Sequence, residues 1–420
     1  MALLQPIHWL KRAASALPPA KADLAFDRSA FSPPIHTELL ILQPTPFCNI
    51  ACKYCYLPHR DDVSRMSMET VRQAASRLRD DGLLGERLTV IWHAGEPLTV
   101  PPAFYREAFA VITEVLGTDC AVSHSFQTNA MLINEEWCEL FRRYDVRIGV
   151  SIDGPAGLHD AQRVTRGGKG THARVMAGIG LLRKYRIPFH SIAVVTSAAF
   201  AQAEQFYQFF AQLGTTELGC NFDEAEGGHA TSSLNGTESD HAGFLARLLE
   251  LSTHSEWPLR IREFATAFDL IAHALPTYRW HGKDWPFNSQ TMPFAIISVS
   301  HDGGFCSFSP ELLGQPSAEF ADFVMGNVAA GGYLAAAGTP RFQRLWAGIV
   351  AGTEHCERVC TFYSYCGGGA PANKLYENGS LASAETLYCR TMLKRPFLAV
   401  LEHFEQITTH QGDSHGIARL

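Results

Sequence analysis

The 420-residue chain has no apolar run approaching the roughly 20 residues that a membrane-spanning helix requires. It has no excess of positive charge. Lys and Arg number 35 against 42 Asp and Glu, a formal charge of -7, so the basic footprint of a nucleic-acid partner is missing. The stretch Met1 to Ala25 mixes Lys11, Arg12 and Lys21 with prolines and alanines and lacks the continuous apolar centre of a secretory signal. We expect a leading arm over residues 1–36, a cytoplasmic location and no membrane association. No internal repeat is visible. Without a secretory signal, eleven cysteines point to metal binding or catalysis rather than to disulfides.

Seven of those cysteines fall into two spaced groups, 48/52/55 and 356/360/366/389, while Cys120, Cys138, Cys220 and Cys306 stand alone. Cys48, Cys52 and Cys55 follow the apolar run Leu39-Leu40-Ile41-Leu42, which reads as a buried strand. Three thiolates on one loop are one ligand short of a closed structural zinc site. They suffice for three irons of a [4Fe–4S] cluster and leave the fourth open to a non-protein ligand. Isolated buried cysteines are common, so Cys120, Cys138 and Cys220 are expected in the core.

From Thr37 to Phe222 the pattern alternates strand and helix, with strands expected at 37–42, 88–93, 121–127, 146–152, 189–195 and 217–222. Met68, Val71, Ala75 and Leu78 form one intervening apolar helix face, and Phe104, Ala108, Val111 and Val115 another. Six such units predict an α/β fold with a parallel sheet. A partial barrel and a doubly wound sheet both fit, and in either one ligands gather at the carboxyl ends of the strands. Residues 224–238 read as a loop, 239–285 as a helical bridge, and 286–400 as a second region opening with a strand at 294–299 and an Asp302-Gly303 hairpin. A helix is expected over 340–350 and a last one over 393–408, with a tail to 420. Gly167-Gly168-Lys169-Gly170-Thr171 lacks the order of a phosphate-binding loop and reads as a turn.

Cys48-x3-Cys52-x2-Cys55 with aromatic Tyr54, after the first strand of such a series, resembles the signature of radical S-adenosylmethionine (SAM) enzymes. The resemblance implies a partial (β/α)6 radical SAM barrel over 37–238, a [4Fe–4S] cluster on the three cysteines, and SAM chelated to its open iron. Ala94-Gly95-Glu96-Pro97 is similar to that family's Gly-Gly-Glu motif, which receives the SAM amino group, with alanine at the first position. Gln127 and Asn129 at the third strand's end, Ser151 and Asp153 at the fourth, and Arg163 resemble positions meeting the ribose and carboxylate of SAM. An electron donor of the flavodoxin or ferredoxin type is implied as well.

Cys356, Cys360, Cys366 and Cys389 offer four thiolates, enough for one zinc or one [4Fe–4S] cluster. Beside a radical SAM barrel they resemble the SPASM extension, which carries auxiliary clusters. The spacing departs from that pattern: the first gap is three residues, Ala370 stands where a further cysteine is expected, and Phe287-Asn288-Ser289-Gln290 contains none. One auxiliary cluster is therefore expected and a second is not. Cys306 is expected to be a packed residue, with an unusual ligand or a substrate-facing thiol as the alternative.

Three stretches, 221–227, 308–314 and 366–374, resemble cyclophane-forming peptide maturases of the glycine-rich-repeat group. The implied activity removes a β-hydrogen from a ribosomal precursor peptide and joins that carbon to an aromatic ring. Glu224, Asp223 and Glu226 are the candidate bases for the ring proton. The alternatives are another peptide or protein modification (thioether or formylglycine formation) and a non-catalytic iron–sulfur or zinc scaffold.

Overall fold

A computed structural model describes residues 25–255 and 258–409. Most of the expected leading arm and the tail from residue 410 lie outside these residues. The chain enters with a short strand β1 (Phe31–Ser32) and then lays down six parallel strands: β2 (Thr37–Leu42), β3 (Leu84–Trp92), β4 (Ala121–Thr128), β5 (Arg147–Ser151), β6 (Phe189–Val195) and β7 (Leu218–Phe222). Between them run the helices α1 (Met68–Asp80), α2 (Pro102–Leu116), α3 (Glu135–Arg143), α4 (Ala156–Gln162), α5 (His172–Lys184) and α6 (Ala203–Leu213). Local chemistry fixes the helix starts. Ser67 accepts from Thr70 N to cap α1, and Asn134 accepts from Trp137 N to cap α3. Gly168 and Gly170 belong to a hydrogen-bonded turn ahead of α5, as expected.

Strands β2 to β7 lie side by side in chain order, with no point at which the order reverses as it does in a doubly wound sheet, so of the two architectures left open by the pattern this is the open, partial barrel. Beyond β7 come α7 (Glu238–His254), α8 (Arg262–Ala272) and the hairpin β8 (Thr277–Trp280) and β9 (Lys283–Pro286), which pairs with β1. The chain then returns to the barrel. β10 (Ile296–Val299) pairs in parallel with β2, Ile296 opposite Leu39 through Val299 opposite Leu42, and β11 (Gly304–Ser307) and β12 (Gly326–Asn327) extend the sheet to nine strands. The C-terminal extension thus begins by completing the barrel's own sheet. It ends in helices: α9 (Tyr333–Ala337), α10 (Pro340–Val359), α11 (Tyr363–Cys366), α12 (Pro371–Asn378), a π-helical turn at Cys389–Lys394, and α13 (Arg395–Thr409).

Two elements exceed the sequence-based expectation. β3 begins four residues early because Leu84 pairs with Thr37 across an irregularity in the register. α10 runs past Val350 to Val359 because its buried face continues through Thr353 to Cys356.

Aromatic packing holds the two halves. On one side Trp92, Tyr105 and Phe126 pack β3 and β4 onto α2, with ring centroids 5.1 and 4.7 Å apart. On the other, Phe294 stacks on Phe342 at 5.2 Å and Trp280 meets Trp346 at 5.0 Å. Each such buried ring contributes about 1.5–3 kcal/mol relative to exposure. Cys120, Cys138 and Cys220 are buried among these apolar side chains, as expected. Among the described residues, no helix is long and apolar enough to cross a membrane.

Candidate active site

The loop after β2 carries Cys48, Cys52 and Cys55, all free and half-buried. It hangs on the segment after α4: Ala51 N donates to Val164 O, Lys53 N to Gln162 O, and Arg166 Nη1 to the carbonyl of Cys48 at 2.7 Å. Burial pushes the Cys48 thiol up to about 12 and Cys52 to about 11, the latter opposed by the Arg163 guanidinium. Such thiols ionise only when a cation takes the place of their protons. Among the described residues, no three His, Cys, Asp or Glu side chains converge as one metal ion would need. A four-iron cluster takes its thiolates one iron at a time, so three thiols spread along one loop fit it.

The strand ends supply the surroundings. Gly95 has φ +57, and a Cβ there would come within 2.5 Å of the carbonyls of Thr45 and Phe47. Glycine is therefore required where this turn meets the cysteine loop. Ala94 adopts φ +69, a left-handed conformation that is unusual for alanine. Glu96 is 1% exposed. Its carboxylate accepts from Leu98 N, Thr128 Oγ1 and Asn129 N, and burial raises it to about 7. Its side chain therefore braces β3 against β4. Asn129 Nδ2 reaches the loop at Asn49 Oδ1 (2.7 Å), and Gln127 donates to Ser151 Oγ (2.8 Å). Asp153 accepts from Tyr54 Oη at 2.6 Å and pairs with Arg163 Nε at 3.0 Å, while Arg163 Nη1 stands 4.0 Å from Cys52 Sγ. The cofactor-binding candidates thus form separate braced sets at the strand ends: Glu96 with Asn129 and Asn49, Gln127 with Ser151, and Asp153 with Tyr54 and Arg163, the first and last of which reach the cysteine loop.

The second cysteine group comes from helix ends. Cys356 closes the buried face of α10, Cys360 caps it, Cys366 ends α11, and Cys389 opens the π-helical turn. Cys356, Cys366 and Cys389 interact electrostatically, and Cys360 lies against Lys394. Gly367, Gly368 and Gly369 all have positive φ and wrap the thiols; a Cβ on Gly369 would lie 3.3 Å from Cys389 Sγ. Asn288 stands in the stretch where a further cysteine is missing. Its amide donates to the carbonyls of Cys366 (2.8 Å) and Gly369 (2.9 Å). Cys306 is buried, donates to the Ser307 carbonyl at 3.0 Å, and is pushed up to about 12 by burial.

The carboxylates after β7 divide. Asp223 is taken up by the loop: it accepts from Ser233 N at 2.7 Å and meets His229 Nε2 at 2.9 Å. Glu224 accepts from Asn373 Nδ2 at 2.6 Å. Burial, against that bond and with Glu311 and Glu377 nearby, raises it to about 8. Burial and the Glu311 charge hold Glu226 well above the carboxylate range. Glu311, on the turn at Pro310–Leu312, and Glu377, on α12, are also raised by burial. Tyr56, next to Cys55, lies within electrostatic reach of Glu311, Glu226 and Tyr376, and Tyr388, next to Cys389, within reach of Glu224 and Glu311. Gln315 Nε2 donates to the Tyr56 carbonyl, tying the turn to the first loop. An acidic site therefore bridges the two cysteine groups. Sequence reasoning found Glu224 and Glu226 but missed Glu311, Glu377, Asn373 and the tyrosines. The stretches 308–314 and 366–374 marked their neighbourhood without singling them out.

The model of the radical SAM superfamily matches residues 42–210. The uncharacterized protein sll1766 of Synechocystis sp. is 38% identical over 377 residues, covering 88% of this chain and 92% of that protein. The serine-type anaerobic sulfatase-maturating enzyme of Klebsiella aerogenes is 33% identical over 187 residues, 44% of this chain and 46% of that enzyme, so the match spans less than half its length. The solved structure of native anSMEcpe with bound AdoMet and Cp18Cys peptide superposes with a TM-score of 0.70 at 20% identity, covering 89% of this chain and 99% of that one. With its three-cysteine loop at the end of the first strand of a parallel partial barrel, the chain belongs to the radical SAM superfamily.

Proposed function

We propose that the protein is a peptide maturase that joins a β-carbon of a ribosomal precursor peptide to a nearby aromatic side chain, closing a carbon–carbon cyclophane. The observation that carries this reading is the half-buried group of Glu224, Glu226, Glu311 and Glu377, in which the Asn373 amide donates to both Glu224 and Glu377 and, beyond burial, the carboxylates raise one another. Forming a bond to an aromatic ring requires the ring to lose a proton, and a carboxylate of raised pKa suits that transfer.

Cys48, Cys52 and Cys55 would hold the [4Fe–4S] cluster. The turn at Ala94–Glu96, together with Tyr54, Gln127, Asn129, Ser151, Asp153 and Arg163, would hold SAM. Bound there, these cofactors supply a 5′-deoxyadenosyl radical that removes the substrate hydrogen. Cys356, Cys360, Cys366 and Cys389 would hold one auxiliary cluster. Asn288 favours that count, since its two hydrogen bonds close the loop where a second cluster would need a cysteine. Asp223 shapes the loop, so the base is Glu226 or Glu311, with Glu224 oriented by Asn373.

A second reading, formylglycine formation on a protein substrate, is favoured by the similarity to sulfatase-maturating enzymes. Co-expression with any small peptide encoded beside the gene, followed by mass spectrometry, separates the two. Loss of two hydrogens per ring with no new carbonyl supports the crosslink. Conversion of a serine or cysteine to an aldehyde supports the second reading.

A further inference from the structure

Among the described residues only two arginine or lysine side chains are buried, Arg163 (7% exposed) and Lys374 (2%), and each lies against a cysteine group. Arg163 shares its charge with Asp153. Lys374 has no such partner: the lysines in salt bridges among the described residues are Lys184, Lys283 and Lys394. Glu377, one turn further along α12, is taken up by the Asn373 amide and by the backbone N–H groups of Leu387 and Tyr388.

Lys374 stands in the first turn of α12, where a positive charge gains nothing from the helix dipole. Its stem passes Gly369 and its head reaches Gly352 on α10. A Cβ on Gly369 would lie 3.8 Å from Lys374 Cε and 3.3 Å from Cys389 Sγ, and one on Gly352 would lie 3.0 Å from Lys374 Nζ. Gly352 precedes Cys356 by four residues and so shares a face of α10 with it. The side chain therefore runs from Cys389 towards the face of α10 that carries Cys356, through room that two glycines leave. Burial raises the Cys389 thiol, and the Lys374 charge opposes that rise. Burying a charge with no counter-charge is costly. Four thiolates carry more negative charge than the iron core they hold carries positive, so a loaded cluster is the counter-charge this ammonium lacks.

We propose that Lys374 is the buried counter-ion of the cluster on Cys356, Cys360, Cys366 and Cys389, and that its charge raises the reduction potential of that cluster. The inference deepens the proposed function and rests on its assignment of one cluster to these four cysteines. Gaining an electron makes such a cluster more negative, so a fixed positive charge favours the reduced state over the oxidised one. Net charge and solvent exposure are among the levers a protein has on these potentials. A buried charge is also screened little by salt.

The test is an anaerobic redox titration of the iron-loaded protein, followed by electron paramagnetic resonance, on the wild type, Lys374→Met and Lys374→Arg, with iron measured on each. Lys374→Met keeps an unbranched side chain and removes the charge. It is expected to hold about eight irons per chain. At a fixed solution potential its ratio of reduced to oxidised second cluster should fall about tenfold or more, a downward shift of about 59 mV for one electron. The first cluster's potential should not move, and Lys374→Arg should keep most of the wild-type value. Loss of the second cluster from Lys374→Met but not from Lys374→Arg would also support the proposal. An unchanged second potential in Lys374→Met at full iron content overturns it. So does loss of the second cluster from both variants, which makes the side chain a packing residue and not a counter-charge. A wild type holding about four irons overturns the cluster assignment beneath the proposal instead.

Discussion

The two cysteine groups are built in opposite ways. The first lies on a single loop of eight residues, half-buried, hung by backbone hydrogen bonds from the segment after α4, with an arginine 4.0 Å from one thiol. The second is gathered from helix ends that span residues 356–389, wrapped by three left-handed glycines and closed by Asn288. The first set has three thiols and lies beside the strand ends that the proposed reading gives to SAM. The second has four thiols, and Tyr388 next to Cys389 lies within electrostatic reach of Glu224 and Glu311. On the proposed reading, the difference divides the labour: radical chemistry belongs where a coordination position is free, and electron removal belongs where none is.

The sharpest way to break this contrast is to remove one thiol from each group. Cys52→Ala should abolish SAM cleavage to 5′-deoxyadenosine, whereas Cys389→Ala should retain cleavage and lose the crosslinked product; each should lose about four irons per chain. Equal loss of cleavage in both variants would erase the distinction. Next in size, Glu226→Gln or Glu311→Gln should slow crosslinking by about 10²–10⁴-fold while SAM cleavage continues uncoupled, read as 5′-deoxyadenosine formed per ring closed. If both variants crosslink at the wild-type rate, the base lies elsewhere.

A smaller effect is expected from Arg163→Lys. Losing the planar guanidinium beside Asp153 and Cys52 should raise the KM for SAM about tenfold and shift the reduction potential of the first cluster, with the second unmoved. The smallest concerns pH. Glu224 has a folded pKa of about 8 against an ordinary 4.5. The folded state therefore holds this proton where the unfolded state has lost it, and stability from this group falls as pH rises between those values. Glu224→Gln should flatten the decline of Tm over that window. An unchanged slope would contradict the burial of this carboxylate.

The first cysteine group was legible in the sequence because its three cysteines, its preceding strand and its neighbouring strand ends lie on a local scale. Cys48, Gly95, Asn129 and Arg163 meet through consecutive strands of one sheet. The acidic site was only half legible. Glu224 and Glu226 follow directly on a predicted strand, but Glu311 reaches them from a turn behind β11 and Glu377 from α12, and no periodicity records those approaches. For the same reason the parallel pairing of β10 with β2 was invisible: a four-residue apolar strand carries no mark of a partner more than 250 residues away. Asp223 shows the limit from the other side. As a residue type it is a sound base, and only the fold reveals that His229 and Ser233 have already engaged it.

The most direct test of the central claim is tandem mass spectrometry of a precursor peptide matured by the purified, iron-loaded enzyme with SAM and a reductant under anaerobic conditions. The account predicts loss of two hydrogens per ring, fragmentation blocked between an aromatic residue and its crosslinked partner, and no added oxygen. A product carrying an aldehyde or a thioether, with free aromatic residues, would contradict it.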